Sequence, residues 1–171
     1  KKVALHASNA QTILNALRFA KEQKLDVVLY GATEGWKVVD VLAREQRPVV
    51  VGPVLTVPGS AFDPYDAGYA NVAVLARAGV PFAIESADRE NQRNVACHAA
   101  MASAFGLPRE EALRSITLYA ARILGLESEL GSLTVGKRGD VIVTAGDLLD
   151  IRSPVELIFV DGVQQSVKNR Q

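Results

Sequence analysis

Short apolar runs alternate along this chain with stretches in which apolar residues return every three or four positions. Residues 3–7 read as a strand. Ser8 or Asn9 can cap the helix behind it, because a short side-chain oxygen accepts an unpaired N–H of the first turn. On that helix Ile13, Leu14, Leu17 and Ala20 share a face, with Lys21, Glu22 and Lys24 outside. Residues 25–30, 48–53 and 80–85 read as three more strands, apolar along their length as in a sheet buried on both faces. Trp36, Val39 and Leu42 mark a second helix, and residues 66–78 a third. The stretch 54–65, with Pro58, Gly59 and Pro64, exceeds an ordinary connection. Its Phe62, Asp63 and Tyr65 suit a lid or an interface loop.

From Asn91 the pattern is helical through Phe105, stopped by Gly106. Pro108 suits a first helical position, with Glu110 and Glu111 favourable at the positive end of the dipole. Leu113, Ile116, Ala120, Ile123 and Leu124 predict one or two further helices before Gly125. Then the texture changes. Residues 133–135, 141–144 and 155–160 read as short antiparallel strands, and Asp161-Gly162 is a hairpin turn signal.

Four strand–helix units predict an α/β fold with a parallel sheet covered by helices. No G-x-G-x-x-G follows the first strand and no G-x-x-x-x-G-K-[ST] occurs, so a nucleotide-binding sheet is unsupported. A small open sheet and half of a (β/α)8 barrel remain, since a whole barrel takes about 250 residues.

Composition narrows the partners. Lys+Arg and Asp+Glu are 19 each, which gives no basic stripe for nucleic acid. No apolar run approaches the ~20 residues of a membrane-spanning helix. Cys97 is the single cysteine, which excludes an internal disulfide framework and a cysteine-rich zinc site. The chain opens Lys1-Lys2-Val3 without Met, and the expectation is a piece of a longer protein. The compartment, cytoplasmic or periplasmic and secreted, stays open.

The tail separates the two architectures. Residues 116–126 (ITLYAARILGL) run into 131–143 (GSLTVGKRGDVIV), and Gly146-Asp147-Leu148 and Val160-Asp161-Gly162 follow in order. This succession resembles the C-terminal signature of the metal-dependent amidohydrolase superfamily. Residues 33–38 (TEGWKV) resemble its imidazolonepropionase-like branch. The resemblance implies the C-terminal half of a (β/α)8 TIM barrel, strands five to eight, in residues 1–127. It also implies the C-terminal strands of a small composite β-sandwich in residues 128–171. The N-terminal half of the same protein is then the implied partner, a small molecule the substrate, and assembly with copies of itself stays open.

The same resemblance implies chemistry at the strand ends. A divalent metal, zinc in the first place, would lower the pKa of a bound water and polarise a carbonyl or amidine. His6, ending the first strand, matches a metal ligand of the family. The ligand position of the next strand falls on Gly31, which has no side chain to donate. The position on the last strand falls on Ala87, with Asp88 one residue late as the candidate catalytic carboxylate and Glu85 a second carboxylate in reach. Tyr30 and Glu34 at the same rim are assigned to substrate. The expected activity is hydrolysis of a C–N bond in a non-peptide amide, cyclic amide or amidine. With Gly31 and Ala87 at ligand positions, the alternative is a catalytically silent binding or structural module holding no metal. A free-standing α/β binding domain would require the tail match to be accidental. His98, Cys97, Trp36 and the Lys137-Arg138 turn read as packed or solvated residues without a role.

Overall fold

Four strands, β1 (Val3–Ala7), β2 (Val27–Gly31), β3 (Val49–Val51) and β4 (Phe82–Ile84), lie parallel in that spatial order. The computed structural model describes residues 2–87 and 92–167. Helices α1 (Ala10–Glu22), α2 (Val39–Glu45) and α3 (Ala67–Arg77) make the crossovers. After β4 come α4 (Val95–Ala104), α5 (Arg109–Ser115) and α6 (Leu118–Leu124). Because the strand order never reverses, the sheet has no switch point of the doubly wound kind. The fold is α/β with a parallel sheet, as the alternation predicts.

Local chemistry explains the boundaries. Asn9 is the cap of α1: its Oδ1 accepts the Thr12 N–H at 2.9 Å, worth about 1 kcal/mol. Ile13 and Leu17 of α1 are buried, each contributing about 1.5–3 kcal/mol by leaving water. Pro108 stands one residue before α5 as its cap, because its backbone there is extended (ψ 138°). The region after it forms two helices, α5 and α6.

The sheet's two faces differ. Leu29, Val49, Val51, Phe82 and Ile84 pack with residues of α1 to α5 in the main core. The opposite face carries Val28, Val50 and Ala83, met by Ile123 and Ala120 of α6. His6 and Tyr30 are paired across β1 and β2, and they share this second, thinly covered face. Lys2 ties α6 to the start of β1 by donating from Nζ to the Ile123 carbonyl at 2.8 Å.

A separate antiparallel sheet contains β5 (Val141–Thr144), β6 (Val155–Val160) and β7 (Val163–Gln165) in that order. Asp161-Gly162 turns β6 into β7, both residues at positive φ, as a two-residue hairpin needs. Residues 133–135, expected as a strand, form none. Leu133 and Val135 are exposed, and Lys137 shapes this segment into a turn by donating to Ser132 Oγ at 2.7 Å and the Leu130 carbonyl at 3.2 Å. Apolar side chains without a sheet to join cannot make a strand. No helix among the described residues is long and apolar enough to cross a membrane.

Candidate active site

The C-terminal ends of β1, β2 and β4 converge on a cavity of about 520 Å³ lined by His6, Tyr30, Glu85, Ala87 and Gln92, among others. His6 reaches it because β1 alternates its side chains, placing the imidazole on the thinly covered face. Tyr30 is its direct neighbour on β2. Glu85 follows β4 on the same face as Ala83, and its N–H extends the ladder to the Val51 carbonyl at 2.9 Å. Burial pushes its carboxyl above the usual carboxylate range. A backbone hydrogen bond from Gly31 and the charge of His6 pull it back. Ala87 sits at φ 58°, a left-handed conformation that an alanine rarely adopts.

Gly31 is a cradle. It lies at φ 94°, and a Cβ built on it would stand 2.9 Å from Ser8 Oγ and 3.2 Å from His6 Nε2. A side chain at the end of β2 therefore meets both backbone strain and the His6 ring. Donor chemistry at the ends of β1 and β4, an imidazole and a carboxylate around an open cavity, fits a divalent ion. The end of β2 does not. Among the described residues no group of three or more His, Cys, Asp or Glu gathers for a metal. Asp88 lies outside the described residues.

Glu34 does not join His6 and Tyr30. It lines a second cavity, of about 330 Å³, with Trp36 and Asp63. Its Oε2 accepts the Ala10 N–H at 2.9 Å, holding the start of α1, and its Oε1 accepts from Lys37 Nζ at 3.1 Å. Lys37 also donates to Asp63 at 2.8 Å, and that second carboxylate raises its pKa. The long loop of residues 54–65 is thereby pinned to the β2–α2 turn, with Phe62 and Tyr65 left exposed.

Two buried polar side chains set the geometry of this rim. Asn71 of α3 donates from Nδ2 to the Ala32 carbonyl at 2.9 Å and accepts the Trp36 N–H at 2.8 Å. It fixes the turn that follows Gly31. His98 of α4 accepts the Val54 N–H on Nδ1 at 3.0 Å. A backbone N–H only donates, so the ring carries its proton on Nε2. Sequence reading missed both roles. The one signal for Asn71 was a polar residue within the apolar stripe of Val72 and Leu75.

The His98 bond has a pH consequence. Burial lowers its pKa from the ordinary 6.5, so the folded protein resists a proton that the unfolded chain accepts. Between the two values the unfolded state binds more protons, and stability falls as pH falls. The contribution is complete above 6.5 and is lost as pH drops toward the lowered folded value. Thermal unfolding of the complete protein at a series of pH values checks this. The expected result is a midpoint that drops on acidification, with the drop below about pH 6.5 reduced in His98→Gln. An unchanged slope in that variant contradicts it.

Comparison with known proteins adds four findings. A sequence model of the amidohydrolase family matches residues 36–169. Imidazolonepropionase from Aeromonas hydrophila is 35% identical over 105 residues, which is 56% of this chain and 23% of that protein. Imidazolonepropionase from Shewanella frigidimarina is 40% identical over 81 residues, 46% of this chain and 17% of its own length. The crystal structure of an amidohydrolase from Thermotoga maritima superposes with a TM-score of 0.87 at 33% identity, over 98% of this chain and 44% of that one. This chain thus spans less than half the length of each.

Proposed function

Because the chain belongs to the amidohydrolase family, we propose that it supplies part of a hydrolase acting on a C–N bond of a small amide, cyclic amide or amidine. The observation that carries the reading is His6. Its imidazole stands at a parallel strand's C-terminal end and faces an open cavity beside Tyr30 and Glu85. The similarity to imidazolonepropionases supports a cyclic amide as the first substrate class to try.

The strand order supports reading β1 to β4 as strands five to eight of a (β/α)8 barrel, with β5 to β7 part of a composite sandwich beginning near residue 128. The N-terminal half of the same protein is the partner in this reading. It covers the thin face around His6 and pairs with the outer edges of β1 and β4, which have no strand neighbour among the described residues.

His6 is the residue of this half that would hold a divalent ion, zinc in the first place. When bound, such an ion supplies an acidified water and a polarised substrate. The chain's own groups do the rest. Tyr30 orients the substrate beside His6, and Asp88 takes the proton of the attacking water and returns it to the leaving nitrogen. The α6 residues Ile123 and Ala120 close the opposite part of this face to water.

The test is hydrolysis of a panel of cyclic amides, amidines and dipeptides by the complete protein. Turnover is expected, and His6→Ala should reduce it by at least about 100-fold, the upper end of what altering a ligand's supporting partner costs. A protein that hydrolyses nothing on the panel favours the second reading, a catalytically silent module. The Gly31 cradle is the observation that speaks for it.

A further inference from the structure

Two glycines lie between Glu85 and His6. At Gly52, just past β3, an added Cβ would stand 2.4 Å from the Glu85 carbonyl oxygen and 2.6 Å from its Cγ. At Gly31, the end of β2, it would run into His6 Nε2 and Ser8 Oγ. Glu85 therefore crosses the end of β3 where no side chain stands. Its side chain lines the same cavity as His6. Gly31 is the position at which the family resemblance expects a metal-holding histidine, and its φ of 94° and the Ser8 Oγ and His6 Nε2 atoms in its Cβ direction make one strained there.

We infer that Glu85 replaces the missing β2 ligand, so that His6 and Glu85 together bind one divalent cation of the zinc or manganese kind. This rests on the reading of His6 as a metal donor. Imidazole and carboxylate are the donor pair such ions accept. A carboxylate offers about four lone-pair sites, enough to hold a cation beside another partner. Both side chains line one open cavity, which leaves a side free for water and substrate. The ligand set is thus rearranged: β2 contributes backbone alone, and the carboxylate arrives from β4 over two glycines.

The experiment titrates the complete protein, stripped of metal, with Zn²⁺ against a chromogenic chelator. The wild type is compared with Glu85→Gln, His6→Asn and Gly31→His. Apo thermal midpoints report folding, and hydrolysis is assayed in parallel. The expected result is uptake of about one equivalent by the wild type. Affinity should fall by about 10-fold or more in Glu85→Gln and in His6→Asn, at unchanged midpoints, with no gain in Gly31→His. Unchanged affinity in Glu85→Gln, or tighter binding in Gly31→His, overturns the inference while a hydrolysing wild type leaves the proposed function standing. A wild type that takes up no zinc overturns the inference, and if it also hydrolyses nothing the proposed function falls with it.

Discussion

Gly52→Ala is expected to destabilise the protein by about 2–3 kcal/mol, the upper part of what overpacking a tight interior costs. Two of the three atoms that the new methyl would meet are backbone atoms of Glu85, and neither can swing away as a side-chain tip would. The end of β4 must move instead, breaking the Glu85 N–H bond to Val51 and drawing the carboxylate from the cavity. At no more than the ~2–4 °C per kcal/mol of a protein of 150–250 residues, the unfolding midpoint should drop by up to roughly 12 °C. Calorimetry of the complete protein measures it. Gly35→Ala is the internal comparison. Its nearest neighbours stand at 3.4 Å and include the movable Leu75 tip, so a much smaller change is expected. Equal midpoints for Gly52→Ala and the wild type would mean that Glu85 is not packed on Gly52.

Asn71→Leu is the second large effect. The side chain is 1% exposed and bridges α3 to the turn after β2 through one donated and one accepted hydrogen bond. Leucine matches its bulk but leaves the Trp36 N–H without a partner and the Ala32 carbonyl with the Gly35 N–H alone. The orphaned N–H costs about 1–3 kcal/mol and the lost bond to Ala32 about 0.5–1.5 kcal/mol, so a loss of about 1.5–4 kcal/mol is expected in urea unfolding. Asn71→Asp keeps the acceptor for Trp36 but removes the donor to Ala32 and buries a charge, and it should be no milder. A loss under about 1 kcal/mol for the leucine variant would show that water replaces both bonds.

Both substitutions touch residues that sequence reading passed over, while the elements around them were legible. Continuous apolar runs marked β1 to β4, and spacing of three and four marked their helices. Asn9 was readable as a cap because capping is local: the accepted N–H lies three residues away. Where sequence reading failed, the deciding partner was distant. Residues 133–135 carry a strand's composition, but no neighbouring strand is there to pair with, and Lys137 turns the backbone instead. Glu34 sits at the rim as expected, and the Ala10 N–H and Lys37 that bind its carboxylate there were beyond sequence reading.

The site divides in the same way. That His6 ends a strand, and that Gly31 and Ala87 stand where the family resemblance expects ligands, follows from the order of residues. A strand's side chains alternate, and strand ends in parallel sheets collect at one rim. That a side chain at Gly31 would be strained and meet Ser8 and His6, that Gly52 admits Glu85, and that His98 and Asn71 hold the rim turns were decided by tertiary structure. Each depends on an atom from another strand or helix arriving within about 3 Å. One-dimensional spacing carries periodicity and local hydrogen bonds, but the distance between residues 31 and 85 exists only once four strands have aligned.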